Sequence, residues 1–256
     1  PWIYDFTAYD FWSKPLGLLY IASLLQKYTE FDLSYIDCLD RYHPLLTKRL
    51  PTKPDGRGPF FKQEVAKPAV VKDIPRKYSR YGLPVSLFEY ELSQLPVPDV
   101  VLTGCTMTYW YPGVQHVIEI IRKKWGRVPV ILGGIYATLM PQHARRFSGA
   151  DYIVEGYGER EILPLLREIL GDKACPSFRF EWLDDLPPPA FDLLRDRATI
   201  PLLTSRGCPF NCSFCAVHLL TGVFEQKKPS SVAKEIEDNY LKYHIQNIAF
   251  YDDALL

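Results

Sequence analysis

The chain has 256 residues, 47% of them apolar, which supports a packed core in one large or two ordinary domains. Lysine plus arginine and aspartate plus glutamate both number 30, so the net charge is zero. That leaves no electrostatic footprint for duplex nucleic acid and no polybasic tail for anionic membrane, and no apolar run reaches the roughly 18 residues of a membrane span. Six cysteines in this length do not make a disulfide scaffold. Cys208, Cys212 and Cys215 cluster while Cys38, Cys105 and Cys175 scatter, a pattern of metal binding in a reducing, cytoplasmic compartment. The start, Pro1-Trp2-Ile3, has no initiator methionine and no basic signal region, so the expectation is a piece of a longer protein.

In chain order, Leu16 to Lys27 is apolar almost all round and predicts a buried helix. Phe31 to Ile36 predicts a short strand. Residues 41–98 are rich in proline and basic residues with little periodicity, and predict an insertion, either a surface excursion or a lid over a ligand. Pro98 to Thr103 predicts a strand, followed by a turn-rich loop from Gly104 to Gly113. Val114, Val117, Ile118 and Ile121 then set an amphipathic helix with a basic C-terminus.

Val128 to Leu132 and Asp151 to Val154 are further strands, ending in Gly133-Gly134 and Glu155-Gly156. Ile162 to Leu170 is a helix stopped by Gly171, with Pro164 placing its start near Leu163. Such alternation predicts an α/β fold with a parallel sheet covered on both faces. The strand before the first helix would be at best the end of one, at Pro1 to Phe6. A linker spans 172–199, and Asp184 to Phe191 is stiff and extended by composition. Ile200 to Thr204 is a strand, Ser231 to Tyr243 a helix capped by Ser230 or Ser231, and Asn247 to Tyr251 the next strand. The domains expected are thus 1–171 and 200–256.

The spacing C-x3-C-x2-C at Cys208, Cys212 and Cys215 supplies three thiolates, the usual ligands of iron–sulfur clusters. Three ligands on a cubane leave one iron open for a small molecule. The competing reading is a zinc site completed by Cys175 or His218, although zinc sites usually pair two separate hooks. Thr204-Ser-Arg-Gly-Cys-Pro-Phe-Asn-Cys-Ser-Phe-Cys215 resembles the signature of radical S-adenosylmethionine (SAM) enzymes, over about Leu202 to Leu256. The resemblance implies a [4Fe-4S] cluster whose free iron chelates SAM, and one-electron cleavage to a 5′-deoxyadenosyl radical. It implies an electron donor such as flavodoxin or ferredoxin. It assigns Phe214 to the adenine and Asp252 and Asp253 to the SAM amino group, where an ordinary strand-end turn is the alternative. Residues 200–256 would then be the first βα units of a partial TIM barrel.

In the front domain, a flavodoxin-like strand order would place a ligand between the loops Asp5 to Pro15 and Gly104 to Pro112. Cys105-Thr-Met-Thr-Tyr-Trp-Tyr111 gathers hydroxyls and aromatics in the second of these. With Pro15-Leu-Gly-Leu18, Gly133-Gly-Ile-Tyr-Ala-Thr138 and Gly156-Tyr-Gly-Glu159, the set resembles the cobalamin (vitamin B12)-dependent radical SAM enzymes. That implies a flavodoxin- or Rossmann-like cobalamin-binding domain, with corrin contacts at Gly17, Thr106, Thr108, Tyr109, Gly133, Gly134, Glu155 and Gly156. There is no Asp-x-His-x-x-Gly, so no protein histidine would serve as lower cobalt ligand. His43, His116 and His143 are expected to be ordinary surface or core histidines, and Cys38, Cys105 and Cys175 plain buried thiols.

Three functions follow. One is methylation of an unactivated carbon, with cobalamin as methyl carrier. Another is cobalamin-dependent cyclisation, rearrangement or oxidation. The last is a radical SAM enzyme whose front domain is a cobalamin-free binding module. The substrate, a small molecule or peptide, and the catalytic residues are not legible.

Overall fold

The structure is a computed structural model and describes residues 1–11, 13–171 and 182–255. The first secondary elements are the strands β1 (Ile3–Asp5) and β2 (Tyr9–Asp10) and the helix α1 (Leu16–Tyr28). The wing that follows holds β3 (Gly58–Pro59), β4 (Lys62–Glu64), β5 (Ser79–Tyr81) and α2 (Val85–Ser93). Next come β6 (Val101–Gly104), α3 (Tyr111–Trp125), β7 (Val130–Gly133), α4 (Ile135–Leu139), α5 (Pro141–Phe147), β8 (Tyr152–Ile153) and α6 (Gly158–Leu170). The last part contains β9 (Thr199–Leu202), β10 (Ser205–Arg206), α7 (Val217–Thr221), β11 (Glu225–Gln226), α8 (Pro229–Tyr243) and β12 (Asn247–Phe250).

The α/β reading holds: β6, β7 and β8 form a parallel sheet in that order. Strand periodicity explains its two covers. In β7, Val130 and Leu132 join a core with Val114, Val117, Ile118 and Ile121 of α3. Ile131 points the other way and packs with Leu25 of α1 and with Ile162, Leu163 and Leu166 of α6. Each fully buried side chain of this size contributes roughly 1.5–3 kcal/mol relative to exposure.

Several expectations are corrected. Phe31 to Ile36 forms no strand. Phe31 and Leu33 nonetheless pack into the core that contains Val100 and Leu102, so the apolar alternation reported burial rather than a hydrogen-bonded ladder. β1 does not open the parallel sheet; it pairs antiparallel with β5, Ile3 opposite Tyr81. Its partner comes from residues 41–98, which are therefore woven into the front fold at β5 rather than a simple surface excursion. Trp2 donates its indole N–H to the Leu83 carbonyl at 2.7 Å and meets Phe88 of α2 edge-on at 5.0 Å. α6 begins at Gly158, not near Leu163, and carries Pro164 inside it. α8 begins at Pro229 with no side-chain cap, because proline at the first helical position lacks only an N–H that would be unbonded anyway.

The expected extended spacer is also different. Leu183–Asp185 and Phe191–Leu193 are short 3-10 turns. Leu183, Leu186, Phe191 and Leu194 are buried against Leu16, Leu19, Tyr20 and Leu24 of α1, together with Ile200, Leu203 and Ile245. Part of the predicted linker, 172–181 with Cys175, lies outside the described residues. The second half carries β9 and β12 as a parallel pair, Thr199 opposite Asn247 and Leu202 opposite Phe250.

His116 provides a pH test of the front core. Its Nδ1 lies 2.7 Å from the Tyr4 hydroxyl, and its ring centre is 4.8 Å from that of Trp2. Burial, and then the Arg80 charge, hold its pKa below the ordinary 6.5, against a smaller pull from Glu119 and Glu89. A base depressed in the folded state gains its proton more readily on unfolding, so stability is full above the ordinary value and falls as pH drops toward the folded one. Thermal melts of the protein between pH 7.5 and pH 5 should show this fall, flattened in His116→Gln. Equal slopes in both proteins would contradict it.

Candidate functional site

The cysteine loop hangs from a small two-stranded base. β10 and β11 pair antiparallel, Ser205 opposite Gln226 and Arg206 opposite Glu225, and residues 207–224 run out between them. Cys208 and Cys215 are half-buried and Cys212 is exposed; all three thiols are free. Cys215 N–H donates to the Cys212 carbonyl at 3.0 Å, closing a turn. Three soft sulfur donors within eight residues fit an iron–sulfur cluster in kind. Among the described residues, however, no three His, Cys, Asp or Glu side chains are gathered closely enough to hold a metal ion. His218, the described partner in the zinc alternative, is exposed on α7. Phe214 is 90% exposed.

The strand-end aspartates divide their work. Asp252 accepts from Thr204 N–H at 3.0 Å, Thr204 Oγ1 at 2.5 Å and Ser205 Oγ at 2.6 Å. It therefore clamps the end of β12 to the entrance of the cysteine loop, a role that sequence reasoning missed for Thr204 and Ser205. The signal was available: β12 parallel to β9 must deliver its C-terminal end to the loop that leaves β9. Asp253 is exposed and accepts from Gly207 N–H at 3.1 Å. Partial burial raises its pKa, opposed by the Gly207 bond and helped by the neighbouring Asp252 charge.

The front domain presents glycines at the carboxyl ends of its parallel strands, Gly104 in register with Gly133. Leu18 of α1 lies against Gly104. Beside it, Gly17 is exposed, and a Cβ there would meet nothing within 4 Å; the same holds at Gly156. This bare backbone rim suits the close approach of a flat, bulky group. Gly134 has φ +90 and would place a Cβ 2.7 Å from the Cys105 carbonyl oxygen. Cys105 N–H donates to the Gly133 carbonyl, and Tyr136 N–H to the Cys105 carbonyl, so the two loops are laced together.

Thr106 and Tyr109 are exposed and Thr108 is half-buried. Trp110 Nε1–H donates to Asp5 Oδ2 at 3.2 Å, so the two predicted ligand loops do meet although β1 lies outside the parallel sheet. Gly156 N–H donates to Thr138 Oγ1 at 2.9 Å, and Glu155 pairs with Arg145.

Each histidine considered for cobalt has a protein partner. His43 meets Glu91 at 2.7 Å, His116 meets Tyr4, and His143 Nδ1 is 2.7 Å from the Tyr136 hydroxyl. Cys38 and Cys105 are buried thiols as expected, with burial pushing Cys38 up to about 11 and Cys105 above its usual value.

Besides the core shared with α1, the two halves meet at the turn before α6. Tyr157 OH donates to the Thr221 carbonyl at 3.0 Å, and Arg206 pairs with Glu159 in a bridge whose side chains are 11% and 5% exposed. α4, which follows Gly134, lies beside α7, which follows Cys215.

Comparison with known proteins finds likenesses to both halves. Residues 92–165 match the family model of the B12 binding domain. An uncharacterized methyltransferase of Pyrococcus horikoshii is 30% identical over 269 residues, covering 94% of this chain and 49% of the relative. The anaerobic magnesium-protoporphyrin IX monomethyl ester cyclase of Rubrivivax gelatinosus is 28% identical over 173 residues, covering 55% of this chain and 31% of the relative. The structure of the radical SAM methyltransferase TsrM from Kitasatospora setae, solved with tryptophan and a SAM analogue, superposes with a TM-score of 0.50 at 18% identity. It covers 66% of this chain and 39% of that one, a likeness of fold.

The front half thus carries a B12-binding domain of the parallel α/β type. The three-cysteine loop follows it in order, and the chain as a whole is similar to the Pyrococcus methyltransferase and the Rubrivivax cyclase in sequence and to the Kitasatospora radical SAM methyltransferase in fold. It spans about half the length of the Pyrococcus relative, and no helix among the described residues is long and apolar enough to cross a membrane.

Proposed function

We propose that the complete protein is a cytoplasmic radical SAM enzyme that methylates an unactivated carbon of a small molecule or peptide. In this reading Cys208, Cys212 and Cys215 hold a [4Fe-4S] cluster, and cobalamin lies on the front domain against Gly17, Thr106, Thr108, Tyr109, Gly133, Gly134, Glu155 and Gly156. When bound, the cluster with SAM supplies a 5′-deoxyadenosyl radical and the corrin supplies a methyl group.

This chain's own residues do the positioning. Phe214, with its exposed ring, packs on the adenine. Asp252 fixes the loop entrance through Thr204 and Ser205. Asp253, with Asp252 beside it, offers carboxylate to the SAM ammonium, a charge-assisted contact. His43, His116 and His143 are tied to Glu91, Tyr4 and Tyr136 and are assigned no role in holding the corrin. An external flavodoxin or ferredoxin supplies the electron.

The observation that carries this reading is the approach of the cysteine loop to the B12-binding domain through Tyr157–Thr221 and Arg206–Glu159. A cyclisation or oxidation without methyl transfer is the second reading, favoured by the similarity to the Rubrivivax cyclase. The test uses the complete protein, reconstituted without oxygen and given SAM labelled in its methyl group. Reductive release of 5′-deoxyadenosine with label passing to the corrin supports methylation. Release of 5′-deoxyadenosine with an unlabelled bound corrin supports the second reading. Absence of corrin binding leaves only a radical SAM enzyme with a cobalamin-free front module.

A further inference from the structure

The contacts between the halves comprise an apolar face, where α1 packs against Leu186, Phe191, Leu194 and Ile200, and a set of polar side-chain ties. Two of them converge on one short turn, Gly156–Glu159, at the entry to α6. Glu159 carries the Arg206 guanidinium, two residues ahead of Cys208. Tyr157 carries the Thr221 carbonyl, six residues beyond Cys215. The cysteine loop is thereby held at both of its ends by neighbouring side chains of the B12-binding domain. The Arg206 guanidinium also lies 5.0 Å from the Tyr157 ring centre and 5.5 Å from that of Tyr20 in α1. Burial works against the Arg206 charge, but Glu159, and then Tyr20 and Tyr157, outweigh it and hold the group fully protonated.

A buried ion pair is a weak source of net stability, because desolvation offsets most of its attraction. Its value lies in direction. An arginine fork gripped by a carboxylate and flanked by aromatic faces has little rotational freedom. Glu159 sits in the first turn of α6, where the helix dipole favours its charge. It is therefore a fixed anchor rather than a mobile surface acid. The same turn contains Gly156, whose backbone opens on the bare rim of the front domain.

We infer that Tyr157 and Glu159 are positioning residues. They set the height and tilt of the cysteine loop relative to the B12-binding domain, so that a ligand seated at Gly156 is felt at the cysteines. The inference rests on the proposed reading only for the identity of that ligand; the mechanical link concerns the protein alone.

The test is amide hydrogen exchange on the complete chain, first without cofactors and then with hydroxocobalamin. Glu159→Gln and Tyr157→Phe each cut one tie, and Arg206→Lys keeps the charge while losing the fork. In Glu159→Gln and Tyr157→Phe, residues 205–223 should exchange roughly tenfold faster than in the wild type, with α3 and the β6–β8 sheet unchanged, as expected of a local opening. Arg206→Lys should lie between. Hydroxocobalamin should slow exchange across 205–223 in the wild type and not in the two cut variants.

If Tyr157→Phe exchanges like the wild type, and Glu159→Gln either does the same or loses protection throughout the molecule, the link is refuted. A wild type that binds no corrin would remove the proposed function, yet the comparison without cofactors would still decide the link. A corrin that binds and protects 205–223 equally in wild type and variants would also overturn it.

Discussion

Under the proposed function, replacing Cys208, Cys212 or Cys215 singly by alanine should abolish iron–sulfur loading and reductive SAM cleavage while leaving the fold in place. The physical reason is the geometry of supply. Three thiolates are the minimum that holds a cubane and leaves one iron for a substrate, and the other cysteines among the described residues, Cys38 and Cys105, are buried in the front half. Losing one of three ligands leaves two, and cluster occupancy should fall from about four irons per chain to below about one. SAM cleavage should drop by roughly a thousandfold or more, since binding and electron delivery share the same metal. Stability should barely move, because the cysteines belong to none of the apolar cores that hold the fold. Iron and sulfide assays, 5′-deoxyadenosine release and circular dichroism check the three parts. A variant that keeps full iron content would remove its cysteine from the ligand set.

Gly134→Val should cost stability and the front-domain ligand together. At φ +90 and ψ −169 the backbone lies in a region that only glycine enters freely. The new Cβ would press on the Cys105 carbonyl oxygen at 2.7 Å and nitrogen at 3.1 Å, which are backbone atoms and cannot swing away. Strain of this kind costs about 1–3 kcal/mol before the clash is counted. A loss near the top of that range lowers Tm by roughly 6–12 °C in a domain of this size. Corrin absorbance after reconstitution should fall with it, because the loops that carry Thr106 and Gly133 separate.

Gly17→Ala is the informative partner. It lies in the first turn of α1, its Cβ would meet nothing within 4 Å, and alanine suits a helix better. Stability should hold or rise slightly while corrin affinity drops. Unchanged corrin binding in Gly17→Ala would take Gly17 off the ligand surface.

Much of this architecture was readable in advance wherever a residue pattern has one physical meaning. The i, i+3, i+4, i+7 apolar set of α3 and the near-continuous apolar runs of β6 and β7 can satisfy their burial only in a layered α/β core. The cysteine spacing was equally plain, since nothing in packing asks for three thiols in eight residues. Patterns with two meanings misled. Phe31 to Ile36 alternates like a strand but uses its alternation for packing alone.

The prolines from Pro187 to Pro189 suggested a rigid spacer, yet Leu183, Leu186 and Phe191 around them are buried against α1. The wing from 41 to 98 hid its contribution because β5 is three residues long and its partner, β1, is far away in the chain. Asp252 shows the same limit at the site: a carboxylate after a strand can meet a ligand or brace a neighbour. Only the parallel register of β12 with β9 reveals that Thr204 and Ser205 are waiting for it.

The most direct measurement is the metal content of the complete protein, purified without oxygen, reconstituted with iron and sulfide, and loaded with hydroxocobalamin. About four irons, four sulfides and one cobalt per chain are predicted, the irons lost on replacing any of the three loop cysteines. Zinc bound at those cysteines, or a protein that takes up neither iron nor cobalt, would contradict the account.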